Sequence, residues 1–468
     1  MTDNIGITKK KRTLIFINIL LTCVASSMLS TALTTALPPI VRDFHISVTT
    51  GQWLTSGFSL AMGIMMPLTA FLITRFPTRR LYLTAIIVFI AGLAMCVIAP
   101  NFLFMMTGRV LQACGNGILS SMAQVILLTI YPAEQQGTIM GWYGLSVGAA
   151  PVVAPTLAGI LVDSMGWQMI FYIAIGIMLI SLVFAIAVFG NVLETTEKKF
   201  DIHSFVLSAF AFGGITLGVG NIGTYPFISL PALLPLVIGC AASLLFIRRQ
   251  FSSAEPFLDL RIVRYKEFAL SLIGSMFLYF VMMGSSIIMP LYVQSIMGYS
   301  ATISGLVTLP GSLCMAIVSP FAGKIYDRLG MKVLFVAGSL FMLASNIGMI
   351  FITTQTSIWL ASFFNAVRCV AIGCLMMPLV TWGINGVSKV QSGLTAHGTA
   401  LLTSLRTIAG AIGTAIFVAI MTWMSETSAD TYGEEAAMHG LNVTFLAMSL
   451  STLALVIIAV FFVPKQER

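Results

Sequence analysis

Fourteen apolar stretches of about 20 residues each run through this 468-residue chain, and they leave it few folds to choose from. A run of that length crosses roughly 30 Å of hydrocarbon as an α-helix, and a helix satisfies its own backbone hydrogen bonds where no water can. The stretches cover residues 13–36, 52–73, 80–98, 102–128, 137–162, 168–189, 203–221, 229–247, 268–291, 301–323, 333–352, 357–383, 397–422 and 440–463. Apolar residues make up 58% of the chain and charged residues 9%, with a mean hydropathy of +0.99. The expectation is an all-α polytopic membrane protein, not the soluble chain of about three domains that length alone suggests.

The basic residues orient these stretches. Of 24 Lys and Arg residues, 20 fall in alternate gaps. They are Lys9, Lys10, Lys11 and Arg12, then Arg75, Arg79 and Arg80, then Lys198 and Lys199, then Arg248, Arg249, Arg261, Arg264 and Lys266. Lys324, Arg328 and Lys332, then Lys389, and finally Lys465 and Arg468 complete the set. The intervening gaps hold Arg42 alone, and Arg109, Arg368 and Arg406 lie within spans. Positive loops stay in the cytoplasm, so both termini are expected there, in a multi-pass protein of the cytoplasmic membrane. The net charge of +8 is then a topology signal, and no nucleic-acid partner is expected. Lys9–Arg12 opens an apolar run too long for a signal-peptide core, which makes that run an uncleaved first span.

All seven Cys lie inside spans without CxxC spacing, so neither a zinc site nor a disulfide framework is expected. No GxxxxGK[ST] occurs, and no catalytic His/Asp cluster or nucleophile–base pair stands out. The expectation is a chain without enzymatic activity, metal or cofactor, whose transport energy would come from gradients or another subunit.

A weak repeat divides the chain. Ala70-Phe-Leu-Ile-Thr74-Arg75-Phe-Pro77 follows the second span, and Gly323-Lys-Ile-Tyr-Asp327-Arg328-Leu-Gly330 follows the tenth. Pro38 pairs with Pro290 and Arg109 with Arg368 at nearly the same offset. Charged breaks at 190–202 and 248–267 isolate the seventh and eighth spans. The predicted organisation is a six-helix half at 1–189, a linker with two extra helices at 190–267, and a second six-helix half at 268–468. Parallel halves with a midplane site between them are a known transporter plan.

Three motifs carry chemistry. Asp327 and Arg328, with Gly323 and Gly330, stand at a helix end, where their charges can pair with a neighbouring helix terminus and latch one conformation. In Gly108-Arg109-Val-Leu-Gln112-Ala-Cys-Gly115-Asn116-Gly117, an Arg within a span costs roughly 3 kcal/mol or more unless it meets water or a partner, so Arg109 is expected to face the cavity. Gly115 and Gly117 permit close backbone approach. In the fifth span, Gly141, Gly144, Gly148, Pro151, Pro155 and Gly159 recur every three or four positions, a smooth seam on one face with bendable backbone.

Together these motifs resemble the major facilitator superfamily, specifically its 14-helix drug:proton antiporters of the EmrB/QacA type, over essentially the whole chain. The resemblance implies a role for Arg109 in proton coupling, an exporter's fifth helix, and a cytoplasmic latch. Gln52-Trp53 and Gly166-Trp167-x-x-Ile170-Phe171 are also similar to the family, with both tryptophans expected at the membrane interface. Arg406-x-x-x-Gly410-x-x-Gly413 is a further such element; its Arg is buried and needs a partner the sequence does not name.

The sequence departs from the family in two places. Leu29 occupies a position where many relatives carry an acid, and Ala70, Thr74 and Pro77 replace the Gly, Asp and Gly of the first loop motif. No carboxylate is expected deep in the membrane. A proton carrier needs a group that titrates in the working range, which leaves Asp163, at the end of the fifth span, and His397, at the start of the thirteenth. Three buried Arg and no buried acid point to neutral, zwitterionic or anionic amphiphiles as substrates. Gln112, Asn116, Gln124 and Asn365, with Arg368, are cavity candidates because lipid-facing polar groups are costly. Met283 and Met376 are candidates because flexible thioethers suit a promiscuous apolar site.

The expected function is efflux of small amphipathic compounds by proton antiport. The partners expected are the lipid bilayer, substrate and protons, with a monomer as the assembly; an adaptor protein is left open. An uncoupled transporter or lipid flippase of the same fold is the alternative. A sensor or scaffold would need a soluble domain or long tail, and the longest cytoplasmic gap is about 20 residues.

Overall fold

The computed structural model describes residues 8–193, 195, 200–222, 228–253, 256–389 and 394–464. Within its helices it leaves out the side chains of residues 30, 31, 34, 35, 48, 49, 52, 149–153, 155, 156, 159, 163 and 301. The chain folds as α1 (Lys9–Asp43), α2 (Val48–Arg75), α3 (Thr78–Val97), α4 (Phe102–Ile130), α5 (Ala133–Met165) and α6 (Gln168–Val188). Then come α7 (Ile202–Ile222), α8 (Leu230–Ser252), α9 (Lys266–Leu291), α10 (Ala301–Leu329), α11 (Met331–Ile350) and α12 (Ile358–Ser388). The chain closes with α13 (Thr395–Thr427), the four-residue α14 (Ala429–Tyr432) and α15 (Ala436–Ile457). The described residues contain no strand. Thirteen described segments are long and apolar enough to cross a membrane, and the 33-residue α5 adds a fourteenth long helix.

Helix ends follow capping chemistry. The side chains of Thr8, Ser47, Asn101 and Ser300 accept from the backbone N–H groups of Lys11, Thr50, Phe104 and Ile303 at the starts of α1, α2, α4 and α10. Gly166 and Gly330 end α5 and α10 at φ of +87° and +76°, where a side chain would be strained. Two sequence expectations need correction. The first helix does not stop with its apolar stretch at residue 36: α1 continues through Pro38 and Pro39 to Asp43. Trp167 is buried rather than an interface anchor, its indole Nε1 donating to Asp43 Oδ2 at 2.6 Å, whereas Trp53 is exposed.

Polar groups buried between helices are paired across them. Asn18 of α1 donates to the Ser181 carbonyl of α6 at 2.8 Å and accepts from the Tyr82 hydroxyl of α3 at 2.9 Å. α4 lies hard against α3: a Cβ added at Gly108 would fall 2.8 Å from the Gly92 carbonyl oxygen, and one at Gly115 2.8 Å from that of Ala85.

The first six helices meet the last long six along two contacts. α5 packs against α10 and α12 on one side, and α13 packs against α2 and α4 on the other. α7 and α8 form a tight hairpin through Gly214, Gly218 and Gly239, and α7 lies on both α2 and α13. One hydrophobic core runs through α1–α6 and takes in Phe268, Leu272, Val380, Ile384, Val387, Ala400 and Leu402, all near the ends of their helices that border basic gaps. α9–α15 also have a separate core, which runs from Leu270 and Met331 to Met289, Tyr292, Phe417 and Phe445. The two sets of helices are therefore sealed together at the basic end of the bundle.

Candidate functional site

The seal has a polar clasp. Asp327, near the end of α10, accepts from the Gly137 N–H at 2.8 Å through one carboxylate oxygen. Its other oxygen accepts from the Thr138 N–H at 2.7 Å and the Thr138 hydroxyl at 2.5 Å. An acid at a helix start also meets the positive end of the helix dipole. Gly323 sits one turn earlier on α10, and a Cβ there would collide with the Gly137 carbonyl oxygen; a Cβ at Gly137 would fall 2.7 Å from the Gly323 carbonyl oxygen. Arg328 is exposed beside the clasp, and Gly330 supplies the turn that ends α10.

The α5 seam continues from this point. A Cβ at Gly141 would lie 2.6 Å from the Ser319 carbonyl oxygen, and Ser319 Oγ donates to the Gly141 carbonyl at 3.1 Å. Gly144 faces Met377 and Ser319, and Gly148 faces the Met315 thioether. The glycines of α5 thus form the surface on which α10 and α12 rest. The side chains of Pro151, Pro155 and Asp163 lie outside the described residues.

Arg109 stands in the second turn of α4, at the end of the bundle opposite the clasp. It is 1% exposed, so in this conformation it faces a neighbouring helix rather than an open cavity. Its Nε donates to the Leu54 carbonyl of α2 at 3.0 Å and its NH1 to Gln112 Oε1 at 2.6 Å, while its guanidinium lies 4.2 Å from the Phe58 ring centroid. Gln112 Nε2 donates to the Cys96 thiol at 3.1 Å. Arg368, 1% exposed in α12, repeats the device with an amide one turn away: its NH2 donates to Asn365 Oδ1 at 2.8 Å.

The other sequence candidates are dispersed. His397 is buried at the start of α13, with Nδ1 accepting from the Asp259 N–H at 3.4 Å, so it and Arg109 occupy opposite ends. Asn116 donates to the Met62 thioether at 3.4 Å. Met283 packs on Gly410 of α13, Met376 touches both cores, and Gln124 is buried with its carbonyl oxygen unpaired. Sequence reasoning missed Gly137, Thr138 and Ser319, although Gly137 extends the glycine period of α5 by one further turn. It also missed Leu54 and Phe58, whose contribution to Arg109 is a backbone carbonyl and a ring that carry no motif.

The family model described as Major Facilitator Superfamily matches residues 19–414. The chain is 36% identical over 439 residues to the MFS-type transporter YcnB of Bacillus subtilis (strain 168), covering 94% of this chain and 92% of that one. It is 34% identical over 411 residues to the lincomycin resistance protein LmrB of the same organism, covering 87% and 85%. Among solved structures, the proton:xylose symporter XylE shares the fold at a TM-score of 0.64 and 13% identity, over 96% of this chain and 97% of that one.

Proposed function

The chain belongs to the Major Facilitator Superfamily and is a multi-pass membrane transporter, not an enzyme, and on that footing we propose that it exports small amphipathic compounds by proton antiport with alternating access. One observation carries the reading: the glycine face of α5 rests on α10 and α12 of the other six-helix set, closed by a clasp that Asp327 makes across the contact. A contact without interlocking side chains can part without repacking a core. Relatives named for lincomycin and multidrug resistance support drugs as cargo.

In this reading residues 1–189 and 268–468 are the moving halves, the basic end faces the cytoplasm with both termini, and the protein works as a monomer in the cytoplasmic membrane. Arg109 with Gln112 would couple to protons, with Asp163 and His397 as titrating groups. Arg368, Asn365, Asn116, Gln124, Met283 and Met376 would line the substrate path.

A second reading has its own support. Among the described residues no Asp or Glu is buried, and Leu29 is buried at the position where the family resemblance implies an acid. That favours an uncoupled transporter or a lipid flippase. Internal pH recorded in proteoliposomes during drug uptake separates the two. Proton movement that appears only with substrate supports antiport, and Asp163→Asn should then abolish it. Drug movement without proton flux would leave the uncoupled reading.

A further inference from the structure

The three buried arginines are not equally satisfied. Arg109 and Arg368 each donate to an amide one turn along their own helix, although Arg368 leaves its NH1 unpaired. Arg406, 6% exposed in α13, has no hydrogen-bond partner at Nε or NH1. The Tyr279 ring of α9 lies 4.8 Å from its guanidinium, which offsets part of the charge and fills none of those donors.

Other unpaired polar atoms lie along the same helix and on α4, which packs against it. Thr399, Thr403 and Arg406 follow one face of α13 at helical spacing, and the Thr399 and Thr403 hydroxyls are buried without partners. On α4 the Ser121 hydroxyl and the Gln124 carbonyl oxygen are also buried without partners. Tyr143 of α5 is set among Cys23, Gln124 and Arg406. By helical rise Arg406 lies about 17 Å along α13 from the basic end, above the seal. Tyr279 and Met283, one turn apart on α9, give the place an apolar wall beside Arg406 and Gly410. All three arginines are buried without an acid beside them among the described residues, but Arg406 leaves two donors open, against one on Arg368 and none on Arg109, and a buried charge with open donors is costly unless a partner meets it.

We propose that Arg406, with the open hydroxyls of Thr399 and Thr403 along its own helix face and Gln124 of α4 nearby, binds the anionic head of an amphipathic substrate whose apolar body lies along α9. The inference rests on the export reading and names the charge class of its cargo. Two sources share that chemistry, a free organic anion and the phosphate of an anionic lipid.

The test uses the full chain in phosphatidylcholine nanodiscs and three fluorescent probes of one skeleton: 6-(2-naphthyl)hexanoate, its carboxamide and its amine analogue. Binding is read by fluorescence anisotropy against empty discs. The carboxylate should bind at least tenfold more tightly than the amide. Arg406→Gln should remove that advantage while leaving amide affinity within twofold, and Arg406→Lys should retain part of it. Tighter binding of the amine, or a carboxylate-to-amide ratio unchanged in Arg406→Gln, overturns the proposal. Loss of the wild-type advantage in phosphatidylglycerol discs would assign the site to a lipid phosphate, and its persistence to a free anion. Anion binding with no export of any amphiphile from everted vesicles would sink the export reading alone. Export of amphiphiles without anion preference would sink this inference alone.

Discussion

The two contacts that join the six-helix sets are built from different chemistry. The α5–α10 contact is a row of glycines, Gly137 and Gly141 against backbone and Gly144 and Gly148 against side chains, closed by the Asp327 carboxylate on two N–H groups and a hydroxyl. The α2–α13 contact has no such clasp among the described residues. Thr74 stands where the repeat would place an acid, and its hydroxyl turns back to the Ala70 and Phe71 carbonyls of its own helix at 3.1 and 2.9 Å. Beside it the α7–α8 hairpin covers α13 with apolar packing, Phe212 and Ala242 meeting Leu405 and Ile408. A polar clasp is strong only at its set geometry, while apolar packing tolerates sliding. In the proposed alternating-access cycle, the first contact would be the switch and the second the bearing.

Substitutions can break or sharpen that contrast, and the largest effect is expected where backbones touch. Gly323→Val should part α10 from α5 and lower drug export more than tenfold, while cysteines placed near residue 138 become labelled from the basic side. Normal export with a normally inserted protein would end the switch assignment. Asp327→Ala leaves the Gly137 and Thr138 donors without their charged acceptor; bonds to charged groups are worth about 1.5–3 kcal/mol each, with the net loss smaller because water enters. Export should fall about tenfold, and Thr74→Asp should fail to restore it, because the second contact does not present the start of α5.

On the other contact effects should be small. A Cβ at Gly213 of α7 would meet the flexible tip of Ile64 at 3.2 Å, so Gly213→Ala should leave export within twofold. The smallest effect belongs to the hairpin's ion pair, Asp201 with Arg249 at 3.0 Å. Burial, the largest single influence on Asp201, pushes its carboxyl up, but hydrogen bonds from Arg249 and Ser204 outweigh it and leave the pKa lowered to about 2. Its contribution is therefore complete above the ordinary carboxylate range and lost as pH falls towards 2. Solvent screening holds such a pair to about 0.5 kcal/mol, so Asp201→Asn should lower the melting temperature slightly at pH 7, with the gap closing in acid.

Fold class was readable because apolar length and charge alternation are properties of single segments. Arg109, Arg368 and Arg406 stood out for the same reason, since a cation within a span is conspicuous on its own. Their partners were hidden. A backbone carbonyl such as that of Leu54 has no sequence signature, and Phe58 is one of 32 Phe residues. Asp327 announced a clasp but not its acceptor helix, because the pairing of α10 with α5 joins segments 189 residues apart. Trp167 was misjudged because a tryptophan at a helix start looks alike whether it faces lipid or, as here, an Asp43 carboxylate.

α7 and α8 form a hairpin, and on the proposed division into two halves with this pair between them, that pairing limits how the chain could have acquired them. One extra crossing would invert every later helix, turning the end of α10 away from the start of α5 and leaving Asp327 on the wrong surface of the membrane. A pair of crossings restores the original direction. Two is therefore the smallest insertion that leaves the clasp intact, and any further growth at this junction would have to proceed in even steps.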